Sequence, residues 1–152
     1  MAGVLRVSEI YEDPGLLERD YGKASGLTAE ERAARFPDGR YDGIEDWASL
    51  RDRVLSALIR SAGKFPSEDI IAVSHGSAIN SVLAELSNHE IGTGKTRLKN
   101  ACVNMLEYRD DLLSIVFCNK SADELVQPTS LEIADRRSGM EAMSDRYNAD
   151  MP

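Results

Sequence analysis

A histidine followed by glycine at the end of an apolar run, Val73-Ser74-His75-Gly76, is the first place in this chain where residue types and order could do chemistry. A buried strand that passes through His-Gly into a helix puts the imidazole at the carboxyl edge of a sheet, beside the free N–H groups of a helix N-terminus. Open α/β sheets bind ligands there, and those N–H groups favour anions. An imidazole serves such a place as anion ligand or acid–base group. The plain alternative is a strand-end histidine bonded to backbone. A second group, Glu18-Arg19-Asp20-Tyr21-Gly22, packs two acids, an arginine and a tyrosine beside a glycine. Alone it reads as a solvated loop whose ion pairs contribute ~0–1 kcal/mol each. Its sharper reading is a carboxyl general acid next to a phosphate-binding arginine.

Other motifs carry less. Gly92-Thr93-Gly94-Lys95-Thr96 looks like the end of a phosphate-binding P-loop, but the position that should hold the first glycine is His89, and the segment follows a helix pattern rather than a strand. A loop after a helix C-terminus is the better reading. His89 itself, in Ser87-Asn88-His89-Glu90, reads as a solvated loop histidine. Cys102 and Cys118 lie in apolar strand-like runs without zinc-ligand spacing, so free buried thiols are expected, and no metal or organic cofactor is implied.

The elements that must position these groups follow from periodicity. Val4–Ile10 reads as a short strand closed by Asp13-Pro14-Gly15. Thr28-Ala29-Glu30-Glu31 is a capping box, and its helix must stop before Pro37. From Glu45 to about Ala62 the residues Trp47, Leu50, Val54, Leu58 and Ala62 recur at helical spacing. Asp69–Ser74 has the pattern of a strand buried on both faces, and Ile79, Val82, Leu83 and Leu86 mark a helix after His75. Residues 101–108 and 112–118 flank Arg109-Asp110-Asp111 as a β-hairpin. Beyond Asn119 the chain turns polar, with partial helix expected around Leu131–Met143. The order β, α, α, β, α, β, β predicts an α/β domain with a parallel centre and an antiparallel edge.

The chain of 152 residues has room for one domain with a core. A formal charge of −8, from 26 acidic and 18 basic residues, repels phosphate backbones and excludes nucleic acid as a general partner, while leaving room for a small phosphorylated ligand. No window is apolar enough for a membrane span and no leader opens the chain, so no membrane partner and a cytoplasmic location are expected.

Taken in order, Glu18-Arg19-Asp20-Tyr21-Gly22, Gly26-Leu27-Thr28, Glu45 with Arg53-Val54, Val73-Ser74-His75-Gly76 and Lys99-Asn100-Ala101 resemble the histidine phosphatase superfamily, the phosphoglycerate mutase-like proteins. The resemblance spans about Val4 to Asn119. It implies a three-layer sandwich with a mostly parallel sheet and an antiparallel edge, over residues 1–119, followed by a polar tail at 120–152. It also implies phosphomonoester hydrolysis through a phosphohistidine, by covalent catalysis within fixed positive charge. In that scheme His75 resembles the second, phosphate-holding histidine and Glu18 the proton donor. Gly76 offers a helix-start N–H, Arg19, Tyr21 and Asn100 line the pocket, and Glu45 and Arg53 serve architecture. The short loop before Glu45 favours a phosphatase over a mutase.

The sequence departs from the family at one point. The family's nucleophile lies in an Arg-His-Gly motif on a first strand; these residues contain no Arg-His-Gly, and no histidine precedes His75. The expectation is therefore a fold missing its first βαβ unit and a chain inactive by itself. A late start site, a separate N-terminal piece or a true loss would each account for this. Without that strand, apolar edges are left unpaired, which predicts either self-association or a complementing N-terminal segment. The alternative is a non-catalytic descendant that binds a phosphorylated ligand or a protein.

Overall fold

The computed structural model describes residues 9–126, so most of the expected Val4–Ile10 strand and the Leu131–Met143 helix lie outside the described residues. The chain forms two units. The first runs to Leu98 and includes Met105–Val116; the second comprises Lys99–Asn104 and continues from Phe117.

In the first unit, single 3-10 turns at Pro14–Leu16 and Gly22–Ala24 precede helices α1 (Ala29–Arg35), α2 (Trp47–Lys64) and α3 (Gly76–Leu86). The capping box expected for α1 is formed, with Glu31 N–H donating to Thr28 Oγ1 and Thr28 N–H to the Glu31 carboxylate. Helix α2 starts at Asp46, whose side chain accepts from Ala48 and Ser49 N–H. Its apolar stripe buries Leu50 and Val54 against Ala78 and Val82 of α3, with Leu16, Leu58, Leu86 and Leu106 packed around them, and Ala57 is buried beside Gly15. Small residues at the start of α3 allow this approach: Ala78 is fully buried where a longer side chain would push the helices apart. Trp47 leaves the stripe and remains 42% exposed.

Strands β1 (Val103–Arg109) and β2 (Leu112–Lys120) form the expected hairpin. Asp110 and Asp111 both take positive φ, 51° and 63°, as a two-residue type I′ turn requires. In the second unit Lys99 N–H donates to Asn119 Oδ1 and Asn119 N–H to Asn104 Oδ1, each at 2.8 Å. Beyond them lies α4 (Ala122–Val126), whose Glu124 carboxyl is drawn down to about 2 by Lys99 Nζ at 2.6 Å and by the Ser121 amide and hydroxyl.

One expectation fails. Asp69–Ser74 is not a strand buried on both faces: it is extended without a ladder partner among the described residues, and Ile71 and Val73 are 64% and 66% exposed. Its composition suits a central strand, but no strand among the described residues pairs with it. Its one described anchor is Ser74 Oγ, which donates to Leu16 O at 2.7 Å. The two cysteines are free and only half-buried.

This packing makes a contrast that chemical denaturation can read. Leu50→Ala, in the α2–α3 seam, is expected to cost ~2–5 kcal/mol. Ile71→Lys, which loses no buried contact here, should stay within ~0.5 kcal/mol. A loss of several kcal/mol for Ile71→Lys would show that this segment is packed in solution.

Candidate functional site

Three backbone carbonyls ahead of the first helix are held by one guanidinium. Arg53, on α2, spends its donors on Glu45 and on the turn before the site: Nε bonds Glu45 Oε1 at 2.6 Å and Nη2 bonds Glu45 Oε2 at 2.9 Å. Nη1 bonds the carbonyls of Gly15 and Leu17, at 3.0 and 2.9 Å, and Nη2 also bonds that of Glu18 at 2.9 Å. Backbone pairing completes the frame. Glu45 N–H donates to Asp20 O at 2.8 Å, Lys23 N–H to Asp42 O at 3.1 Å, and Tyr21 bridges Ile44. Two glycines make these approaches possible: a Cβ on Gly15 would lie 2.7 Å from that of Ala57, and one on Gly22 (φ +48°) would lie 2.4 Å from Asp42 O.

The frame sets Glu18 against the start of α3. Its carboxylate accepts from Ser77 N–H (3.1 and 3.3 Å), Ala78 N–H (3.3 Å) and its neighbour Arg19 N–H (2.8 Å). An acid placed on the free amides of a helix N-terminus is stabilised there by ~0.3–1 kcal/mol or more. His75 is the N-cap residue of α3, with extended backbone, an exposed side chain and no capping bond of its own, and Gly76 opens the helix. Tyr21 Oη and Ser77 Oγ share a hydrogen bond of 2.9 Å. Arg19 lays its guanidinium on the Trp47 ring, 3.9 Å from its centre, and its Nε donates to Glu45 O at 2.8 Å.

Glu18, Arg19, Tyr21, His75 and Gly76 thus gather at one helix N-terminus within the first unit. Asn100 belongs to the second unit, in the exposed turn before Cys102. Glu45 and Arg53 serve architecture, as the resemblance implied. Ser77 and Trp47 were not read as site residues. Ser77 directly follows Gly76 in the first turn of a helix; Trp47 opens its helix beside the cap, where a stripe residue is least enclosed. Elsewhere His89 lies in an exposed turn with φ 62°. The Gly92–Thr96 loop spends its groups on itself and on α3: Gly92 N–H bonds Thr96 Oγ1, Thr93 N–H bonds Asn80 O, and the Lys95 ammonium bonds His89 O. Among the described residues no cluster of His, Cys, Asp and Glu is suited to a metal, and no helix is long and apolar enough to cross a membrane.

A family model, the histidine phosphatase superfamily (branch 1), matches residues 2–121. The chain belongs to this family. Within the histidine phosphatase superfamily it is similar to an uncharacterized phosphatase, PhoE, of Bacillus subtilis (strain 168), at 36% identity over 102 residues, 67% of this chain and 53% of that protein. It is also similar to a metal-independent phosphoserine phosphatase of Arabidopsis thaliana, at 29% identity over 114 residues, 67% of this chain and 47% of that protein. The chain therefore spans about half the length of the curated relatives it matches. A solved structure, Bacillus stearothermophilus YhfR, superposes with a TM-score of 0.69 at 16% identity, covering 80% of this chain and 68% of that one, which supports the α/β fold.

The Arg53–Glu45 pair has a pH signature. Hydrogen bonds from Arg53 hold the Glu45 carboxyl below its ordinary 4.5; partial burial opposes this, and the Asp20 amide and the charges of Arg53 and Arg19 add to it. A folded-state value below the unfolded one means that the contribution is complete above about pH 4.5 and is lost as pH falls through the folded value. Glu45→Gln is expected to lower stability at neutral pH by ~1–3 kcal/mol and to flatten the acid limb of the stability–pH curve. An unchanged acid limb would remove Glu45 from the account.

Proposed function

We propose that this chain carries the phosphate-holding and proton-donating part of a phosphomonoesterase that works through a phosphohistidine, with the nucleophilic imidazole supplied by a segment outside these 152 residues. The observation that carries the reading is Glu18 seated on Ser77 and Ala78 N–H beside His75. A carboxylate of the chain itself occupies amides suited to a phosphoryl oxygen, and it is the group placed to protonate a leaving oxygen once substrate takes those amides.

In the proposed cycle His75 and the helix-start N–H groups, Gly76 included, hold the phosphoryl oxygens, while Arg19 and Tyr21 line the pocket. The supplied imidazole nitrogen attacks phosphorus as the ester P–O bond breaks; the leaving oxygen takes the electron pair and a proton from Glu18, which gains that proton from the phosphomonoester monoanion that displaces it from the amides. Water then attacks the phosphohistidine, gives a proton back to Glu18, and releases inorganic phosphate and free imidazole. The names of the relatives and the short Phe36–Ile44 connection favour hydrolysis over transfer to a second acceptor. The ligand is a small phosphorylated molecule in the cytoplasm, and the cycle needs no cofactor.

The same reading completes the fold. A strand laid along Asp69–Ser74 would pair its open backbone, cover Ile71 and Val73, and give the mostly parallel three-layer sandwich. The complementing segment and a second copy of the chain compete for that edge, and the nucleophile requirement favours the segment. The second reading, a non-catalytic binder of phosphorylated ligands, draws on one observation: the histidines of this chain are His75 and the turn residue His89, neither on a strand preceding Glu18.

Calorimetric titration with inorganic phosphate tests the site. His75→Ala is expected to weaken binding at least ~10-fold. Glu18→Gln, which removes the competing charge, should tighten it by ~3–10-fold. Phosphate affinity that ignores both substitutions would place the anion elsewhere. In the completed enzyme Glu18→Gln should slow esters with poor leaving groups by ~10²–10⁴-fold and spare those with good ones.

A further inference from the structure

The carbonyls of Gly15, Leu16, Leu17 and Glu18, successive in the turn before the site, all accept from side chains, and the donors differ. Arg53 takes those of Gly15, Leu17 and Glu18. Leu16 O is taken by Ser74, whose Oγ donates to it at 2.7 Å from the end of the extended Asp69–Ser74 segment. Ser74 is half-buried, whereas Val73 before it and His75 after it are exposed. Among the described residues this is the one hydrogen bond that Asp69–Ser74 makes.

The bond lies where it can govern the imidazole. Ser74 directly precedes His75, and two residues beyond His75 the Ser77 N–H and hydroxyl are bonded to Glu18 and Tyr21. His75 O accepts from Ile79 N–H at 2.9 Å, which opens the ladder of α3. The His75 side chain makes no capping bond of its own, so its direction is inherited from the backbone that carries it. On the helix side that backbone is held by α3 and by Ser77; on the other side it is held by Ser74.

We infer that Ser74 is a positioning residue for the phosphate site: its hydroxyl, on Leu16 O, fixes the course of the chain into His75 and so sets the imidazole over the helix-start amides. The inference rests on the phosphate-holding role proposed above for His75 and adds the group that places it. Ser74 touches no ligand in this scheme and acts through its neighbour. Removing the hydroxyl releases the segment and also leaves Leu16 O without its donor at a half-buried place.

Because the action passes through His75, a double substitution separates positioning from general support of the fold. The test titrates the whole chain with inorganic phosphate and follows the imidazole proton–nitrogen resonances by NMR, with His89 in its exposed turn as internal reference. Ser74→Ala is expected to weaken phosphate binding ~3–10-fold. It should also shift the His75 resonances and leave those of His89 in place. Ser74→Thr, which keeps the hydroxyl, should restore both readouts. In a His75→Ala chain the same Ser74→Ala change should alter affinity less than ~2-fold. Where Ser74→Ala does not fold, Ser74→Cys, close in volume but a weak donor, takes its place with the same expected effects. Undiminished affinity in Ser74→Ala, unmoved His75 resonances, or an equal loss with His75 absent overturns the inference and leaves the phosphate site standing. An unsubstituted chain that binds no phosphate overturns the phosphate-site reading instead, and the resonances then decide by themselves whether Ser74 places the imidazole.

Discussion

The Arg53 guanidinium is the constraint from which the site is built. It is an ion-pair partner, a hydrogen-bond donor to three backbone carbonyls and a strut from the longest helix to an irregular loop, all at once. A loop such as Gly15–Gly22 has few apolar side chains with which to fix itself, and its carbonyls need partners if they are to be turned inward. Arginine is suited to the role because its five donors lie in one rigid plane and its charge persists at any working pH. Glu45 shares the same guanidinium and, through its own N–H and carbonyl, ties in Asp20 and Arg19. Glu18 and Tyr21 reach the start of α3 because this frame leaves their segment one course to follow.

The second constraint lies at a segment that has no ladder partner among the described residues. Asp69–Ser74 ends at His75, so whatever pairs with that segment also fixes the imidazole relative to its neighbours. An extended apolar run with free N–H and C=O groups is a template for another strand. Here the segment without a ladder partner among the described residues and His75, proposed to hold phosphate, are consecutive in sequence. Completion of the sheet and completion of the active site are, on this account, one event.

Much of this was legible in the residues. The Thr28–Glu31 capping box, the α2 stripe through Leu50 and Val54, the Asp110-Asp111 turn and the His75-Gly76 helix start are local signals: each follows from side chains within a few positions, and each appears where its pattern put it. Asp69–Ser74 was misjudged because burial is a property of neighbours, and composition reports only suitability for them. Trp47 shares the helical spacing of the α2 stripe and is still 42% exposed for a related reason, since helical spacing gives a face but not how far along the helix that face is covered. The pairing of Arg19 with Trp47 and the bond from Ser74 to Leu16 join residues far apart in the chain, and nothing in local pattern announces them. The docking of Glu18 on Ser77 and Ala78 is a long-range contact of the same kind; the order of family-like motifs pointed to its participants but not to its geometry.

The central claim is that these residues hold and protonate a phosphomonoester while lacking their own nucleophile. Its most direct test is a steady-state assay of para-nitrophenyl phosphate hydrolysis by the 152-residue chain, with phosphorus NMR on the same sample. The account predicts bound phosphate, no covalent phosphohistidine and no turnover above that of His75→Ala. Turnover with a phosphorylated histidine in this chain would contradict it, because a nucleophile would then be present among the residues described.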